Sequence, residues 1–549
     1  MKKSTEYLDI FAVRNPSFKE TAFDDERRHV LFREEIIDLL RQIYPSLPWE
    51  LGAQITKYCI HEYAVAHILS RLGKDASRTF NPQNNVWAKY VNFEGVRYIH
   101  SLFNEDDEEF DKTGKKELVF DAGRGQLVDA IFINRTSLGI QDIIFGNSSE
   151  RPLVSQQPGV WWKIMHFQHG ATLRTDMDGI KLREIMSDSD ERPYGHRVIK
   201  EVLWPTPTHY LRHILVPEQI FYARSFMDRD SRYMSRRMAS VDLEVSGAFG
   251  LSFALCGLNP QHPIFTIHSH LAGEKTLFYR EMDRKLEKHV IWQYVPLQPT
   301  ESIIEIWAKK TEREWDEHSG TLVTDSQPLA DYWLLVATNK GRAHRIGTAN
   351  DDPTQQWNLL YASASGIKRI FFDHPDDSLY GTWSLGFDSQ DPASELLPLT
   401  EPTAISPCLS RESGLIAHDC RTLCSSVMLN NVVEVTACLR KPEAWSTDRR
   451  KIVSGLLLYF ADGHTERLGE ARIEYLRRPI KVLDPSHVLC LGLGMDLVRS
   501  CTIRPAHELS QEDVIEIPLQ GMLEWCFSRE KIWIWYNGSL VLPVIHDEV

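Results

Sequence analysis

The residues that most resemble a chemical site are the two imidazoles of Ile267-His268-Ser269-His270. Side chains alternate across a strand, so an H-x-H pair shares one face, as two nitrogen donors to a metal do. A mononuclear centre needs a third donor. His262 is the near candidate, and no HExxH, CxxC or carboxylate at a metal spacing accompanies the pair. Two histidines in an aromatic strand are then read as pocket-lining or core residues, and no metal or cofactor is assigned. His166 and His169, and His209 and His213, lack a companion Glu or Cys, while Cys420 and Cys424 lack a second cysteine pair.

Other catalytic patterns are missing. Leu491-Gly492-Leu493-Gly494 has no third glycine and no helix signature behind it, which excludes a dinucleotide fingerprint. There is no G-x-S-x-G, no Walker A and no kinase motif set, so no catalytic residue is assigned. The most basic stretch, Asp228 to Arg237, carries its own acids. The whole chain has 62 basic and 76 acidic residues, a net charge of −14, which argues against nucleic-acid and anionic-membrane partners. Tryptophan is abundant, with 15 residues that include Trp161-Trp162 and Trp533-Ile534-Trp535. Aromatics at alternate strand positions can stack a sugar or a peptide. Trp161, Trp162, Trp533 and Trp535, with His268 and His270, are therefore the possible ligand face. Packing is the competing role for the same rings.

The elements that hold these residues divide in two. Up to about residue 75 the chain reads helical: Ile36, Leu39, Leu40 and Ile43 recur at helical spacing. Pro45 and Pro48 end that helix and open a new one. Ile55, Tyr58, Cys59, Tyr63, His67 and Leu69 supply a second apolar face, expected over two short helices. The acidic run Asn104 to Asp111 reads as a solvated loop. From about 117 the grammar is that of strands: Ala130–Ile133, Ile140–Phe145, Gly250–Leu255, Trp333–Thr338, Ile367–Phe372, Gly455–Phe460 and Ile532–Tyr536. Two stretches repeat. Ile304-Glu305-Ile306 precedes Leu334 to Gly341, with Gly347 beyond; Val433-Glu434-Val435 precedes Leu456 to Gly463, with Gly469 beyond. Glycine after an apolar run suggests tight hairpins.

With 549 residues, 42% hydrophobic and 25% charged, the chain is globular and long enough for about three or four structural units. The expected fold class is α+β, mainly β: a short helical module over 1–100, then a β-rich body of repeated units, propeller- or prism-like. The body is expected to run over 117–386 and 415–549, joined by a proline-, serine- and acid-rich linker over 387–414. Met1-Lys2-Lys3 is followed by no apolar segment, and no run reaches the roughly 18 apolar residues of a membrane helix. Nine scattered cysteines suit free thiols in a reducing cytoplasm or nucleus. Asn134-Arg135-Thr136 and Asn147-Ser148-Ser149 are chance matches to a glycosylation acceptor on that view.

Leu47-Pro48-Trp49-Glu50-Leu51-Gly52-Ala53-Gln54-Ile55-Thr56-Lys57-Tyr58-Cys59 resembles the opening of an F-box. The resemblance implies docking through Leu47, Pro48, Leu51, Ile55 and Tyr58 onto the adaptor subunit of a cullin-type ubiquitin ligase. More broadly the chain is similar to a large family of uncharacterised filamentous-fungal proteins. Leu47 to Leu51, Phe93 to Ile99, Pro158 to Trp162, Leu457 to Gly463 and Leu523 to Ser528 carry that likeness. It implies an F-box-like head on a β-rich body and no particular activity. The leading expectation is a non-enzymatic binding protein, a substrate receptor of such a ligase in the cytoplasm or nucleus. The alternatives are a lectin-like or ligand-binding β protein with the helices as a cap, a metal-dependent or hydrolytic enzyme using His268 and His270, and an accessory protein of fungal specialised metabolism.

Overall fold

The structure is a computed structural model. It describes residues 22–69, 77–104, 116–125, 128–148, 152–187, 201–207, 235–244, 247–256, 264–274, 276–285, 290–310, 315–316, 321–322, 332–347, 357–373, 385–388, 423–440, 451–494, 497–506, 514–527 and 532–541. The chain forms two compact units: Met1–Arg212 with Glu218–Ala239, and His213–Pro217 with Ser240–Val549. The fold is mainly β, with helices at the start, as expected. Among the described residues no helix is long and apolar enough to cross a membrane.

The first unit opens with α1 (Ala22–Ile43) and α2 (Trp49–Leu69), broken where Pro45 and Pro48 fall. The second helical face is one continuous helix, not two short ones. No proline interrupts Trp49 to Leu69, and Gly52 sits in the first turn, where its flexibility costs little. Phe32 and Ile36 of α1 pack on Ile60 and Ala64 of α2. Strands follow at once, and the first of them lie within residues 1–100.

Three small antiparallel sheets then enclose one core. The first contains β1 (Ser77–Phe80), β8 (Leu173–Met177) and β9 (Leu182–Ser187). The second has β2 (Val86–Phe93) between β3 (Val96–Phe103) and β4 (Lys116–Phe120). The third has β5 (Ala130–Arg135) between β6 (Ile140–Gly146) and β7 (Trp161–His166). Phe80, Val86, Leu102, Ile131, Ile143 and Leu182 meet in the shared interior. The short strand β10 (Glu201–Leu203) runs parallel to the start of β11 (Ser235–Asp242).

The helices are tied to the β2–β3 turn of the same unit. Glu94 and Gly95 both take positive φ, the backbone of a tight two-residue hairpin. The Glu94 carboxylate accepts from Arg28 Nε at 2.6 Å and from Nη2 at 3.1 Å, and both side chains are fully buried. Arg27 donates to the Glu94 carbonyl at 2.6 Å.

In the second unit β12 (Ala248–Cys256) lies between β13 (Thr266–Leu271) and β14 (Val290–Pro296), with α3 (Leu277–Lys285) following β13. The internal similarity is realised as two sheets of one strand order. Ile303–Lys310, Tyr332–Thr338, Ala343–Ile346 and Trp357–Ala362 form one; Val432–Arg440, Ile452–Phe460, Thr465–Gly469 and Ile480–Lys481 form the other. In both, the first strand is central, the second and third lie in turn to one side, and the fourth pairs on the other. The matched glycines 341, 347, 463 and 469 all have positive φ. Arg342, at the turn of the first sheet, donates to Thr465 O of the second at 2.6 Å and to Pro296 O at 2.8 Å.

Two expectations change here. Cysteines were expected as free thiols, but Cys424 and Cys526 face each other in a strand pair and form a disulfide. Cys59, Cys438 and Cys501 are free thiols. Residues 389–414 of the expected linker lie outside the described residues.

Candidate functional site

The H-x-H strand is β13. Alternation puts His268 and His270 on one face, opposite Ser252 and Gly250 of β12. A Cβ on Gly250 would collide with the Tyr294 ring of β14, so glycine there lets the tyrosine lie across the sheet. Helix α3 brings aromatic rings over the same face. Phe278 stacks on His268 with centroids 3.6 Å apart, and Tyr279 meets Trp292 edge-on at 4.7 Å.

A hydroxyl network fixes the inner histidine. His270 Nε2 lies 2.7 Å from Ser252 Oγ and 3.3 Å from Tyr279 OH, and the two hydroxyls are 3.1 Å apart. The Ile473 amide donates to Tyr279 OH at 3.3 Å, and the Arg472 guanidinium covers the ring at 4.7 Å. Arg472 is held in turn by Asp283 at 2.8 Å and Glu474 at 2.5 Å. Burial raises the Tyr279 pKa, so the phenol keeps its proton. Ser252 is wholly buried, so its hydroxyl does not face solvent.

The outer histidine has a carboxylate that the sequence reading missed. After β13 the chain turns through Gly273, at φ 78°, and brings Glu274 back against the strand. Glu274 Oε2 accepts from the Leu271 amide at 3.1 Å, and Oε1 lies 2.8 Å from His268 Nε2. His268, His270 and Glu274 thus gather three donor atoms within 4.8 Å of one another. This is a carboxylate at a metal spacing after all; His262 lies outside the described residues. A glycine turn directly after an H-x-H strand was the available signal, because it folds the next side chain back over the pair. The side chains of His268 and Glu274 are 25% and 29% exposed, while His270 is buried. Burial lowers the His268 pKa against the pull of Glu274. Burial, and then the neighbouring His268, push His270 down to about 3. Both rings are therefore neutral at pH 7, the form that ligates metals.

The tryptophans offer no ligand face. Trp161 and Trp162 are buried, the first against Leu203 and under Arg237, the second against Ala130 and Phe132. Trp533 and Trp535 are buried against the Cys424–Cys526 pair. Strands covered on both faces bury alternate and intervening rings alike, and local spacing does not tell the two cases apart. His166 and His169 are exposed, and they join no donor cluster among the described residues. His209, His213, Cys420 and the run 228–234 lie outside the described residues.

The helical residues behave differently. Gly52, Thr56, Ile60 and Ala64 form the inner side of α2 and are buried. Leu51 is 48% exposed and Tyr58 82%, Pro48 is exposed, and Leu47 and Ile55 are half-buried. Leu39, Ile43 and Tyr44 of the hairpin end are exposed too. Trp49 is flanked by the guanidinium groups of Arg33 and Arg41 at 5.7 and 5.4 Å.

No family model matches the chain. No curated protein matches it either. Among solved structures it is similar to a prostate-specific WGA16 glycoprotein lectin, at 15% identity over 28% of this chain and 88% of that one, with a TM-score of 0.18. At that score the likeness bears on neither fold nor ligand.

Proposed function

We propose that the chain is a non-enzymatic receptor whose helical hairpin docks on the adaptor subunit of a cullin-type ubiquitin ligase, while the β units hold a protein target. One observation carries the reading: Leu51, Ile55 and Tyr58 form a side of α2 that the hairpin does not use for its own packing. Apolar side chains left out of a fold that already has a core are available to a partner. Burying one leucine in an interface contributes about 1.5–3 kcal/mol. For the glycan-binding alternative, Trp161, Trp162, Trp533 and Trp535, the rings expected to stack a sugar, are buried.

The test is titration of the purified full chain with purified adaptor subunit, read by calorimetry. Wild type binds. Leu51→Asp and Tyr58→Asp weaken binding by at least about 30-fold, as expected for residues central to an interface. Both keep folding stability within roughly 0.5 kcal/mol, because neither side chain is in the core. No heat from wild type at saturating adaptor would end the proposal.

A further inference from the structure

We propose that His268, His270 and Glu274 bind one first-row divalent transition-metal ion, zinc by preference, with a remaining coordination position open to solvent. This inference is independent of the receptor reading. The donor set is two imidazoles and one carboxylate. That combination suits zinc, and three protein donors leave the fourth position of a tetrahedral ion open.

The distances are close to what an ion requires. Donors bound at about 2.1 Å around a tetrahedral ion lie roughly 3.4 Å apart. The three donors here already lie within 4.8 Å of one another, so small side-chain rotations close the set. His268 Nε2 and Glu274 Oε1 lie 2.8 Å apart, within hydrogen-bond distance. A metal ion would sit between the same two atoms. Among the described residues no lysine or arginine pairs with Glu274, which leaves its charge for a cation at this spot.

The supporting shell is also present. A ligating ring needs its orientation held by second groups. Ser252 and Tyr279 hold His270, Phe278 stacks on His268, and the Leu271 amide holds the second Glu274 oxygen. Each donor therefore has its own support, and two come from different elements, β12 and α3. The partial exposure of His268 and Glu274 gives the ion a path in and leaves the open position for water or an anionic oxygen of a ligand.

The experiment uses the full chain with any polyhistidine tag removed, stripped by chelator and titrated with zinc by calorimetry. Cobalt substitution, read by visible absorption, reports the donor geometry. Wild type takes up about one equivalent and gains thermal stability with added zinc. His268→Gln and Glu274→Gln lower affinity by at least about 100-fold, and Tyr279→Phe, which removes the hydroxyl that His270 shares with Ser252 and the Ile473 amide, by about 10-fold. His464→Gln, whose ring pairs with Asp462 elsewhere, leaves affinity unchanged. His268 and Glu274 are partly exposed, so the metal-free variants melt near wild type, which separates lost binding from lost fold. Wild type taking up well under one equivalent, or binding equally well after His268→Gln and Glu274→Gln, overturns the proposal. So would variants that change metal-free stability while zinc affinity stays the same, because that marks a hydrogen-bond network and nothing more.

Discussion

Glu94→Gln should release the helical hairpin from the β2–β3 turn. The carboxylate accepts two bonds from Arg28, at 2.6 and 3.1 Å, and neither side chain touches solvent. Glutamine keeps the shape and one acceptor oxygen but removes the charge. Arg28 would then lose the carboxylate charge that both of these bonds reach in the interior. Removing one partner of a buried pair costs roughly 3–5 kcal/mol, most of it the burden of the charge left behind. Glu94 also sits at φ 51°, which adds a backbone strain of about 1 kcal/mol that the pair offsets and glutamine would not. Since each 1.4 kcal/mol is about tenfold, local opening should become a hundred- to several-thousandfold more frequent. Native-state hydrogen exchange reads this directly. Amides of α1 and α2 should exchange faster by that factor, while those of β5 and β6 should not. The double variant Arg28→Met with Glu94→Met should recover most of the protection, because neither charge is then buried. Unchanged exchange in α1 and α2 for Glu94→Gln would refute the reasoning, as would equal loss across the three sheets.

Three other outcomes are expected. His344 is buried, and its pKa is held at about 3 against an ordinary 6.5. The unfolded chain therefore takes up this proton first as pH falls, so its contribution is complete above about 6.5 and is lost progressively between there and about 3. Thermal melts from pH 7.5 down to 4.5 should show that loss in wild type and a flatter profile in His344→Gln; parallel profiles would count against it. The Cys424–Cys526 disulfide closes a span of 102 residues, so Cys526→Ala should lower the stability of the oxidised protein by about 2–4 kcal/mol. Alkylation with and without reductant should count two fewer thiols in the unreduced wild type, and equal counts would show the bond unformed. A Cβ at Gly455 would meet the Glu470 and Leu468 carbonyls, which as backbone cannot yield, so Gly455→Ala should cost about 3 kcal/mol and lower the melting temperature measurably. A melt that matches wild type would show that this strand can shift.

Much of the framework was legible locally. The apolar runs at Ala130, Ile140, Gly250, Gly455 and Ile532 are strands because continuous or alternating apolar side chains must be covered on one face or both. Proline at 45 and 48 marked the break between helices because it lacks an amide donor. The glycines of the two similar stretches have positive φ, and the stretches share one strand order, because a turn's backbone demand falls on its own residues. The outer side of α2 could be named from helical spacing alone.

Other features required the tertiary structure. Spacing marked His268 and His270 as sharing a face, but Glu274 joins them only because a turn reverses the chain, and Ser252 and Tyr279 arrive from a neighbouring strand and a helix. Tryptophan pairs look alike in sequence whether their rings face solvent or core; here all four rings are buried. Arg28 finds Glu94 across 66 residues, and Cys424 finds Cys526 across 102. Periodicity records which side of an element is apolar, because each residue's direction follows from its own backbone. It carries no record of which distant element covers that side. That is decided when all the surfaces are buried together, and the entropy of closing a long loop rises too slowly with its length to favour one partner over another.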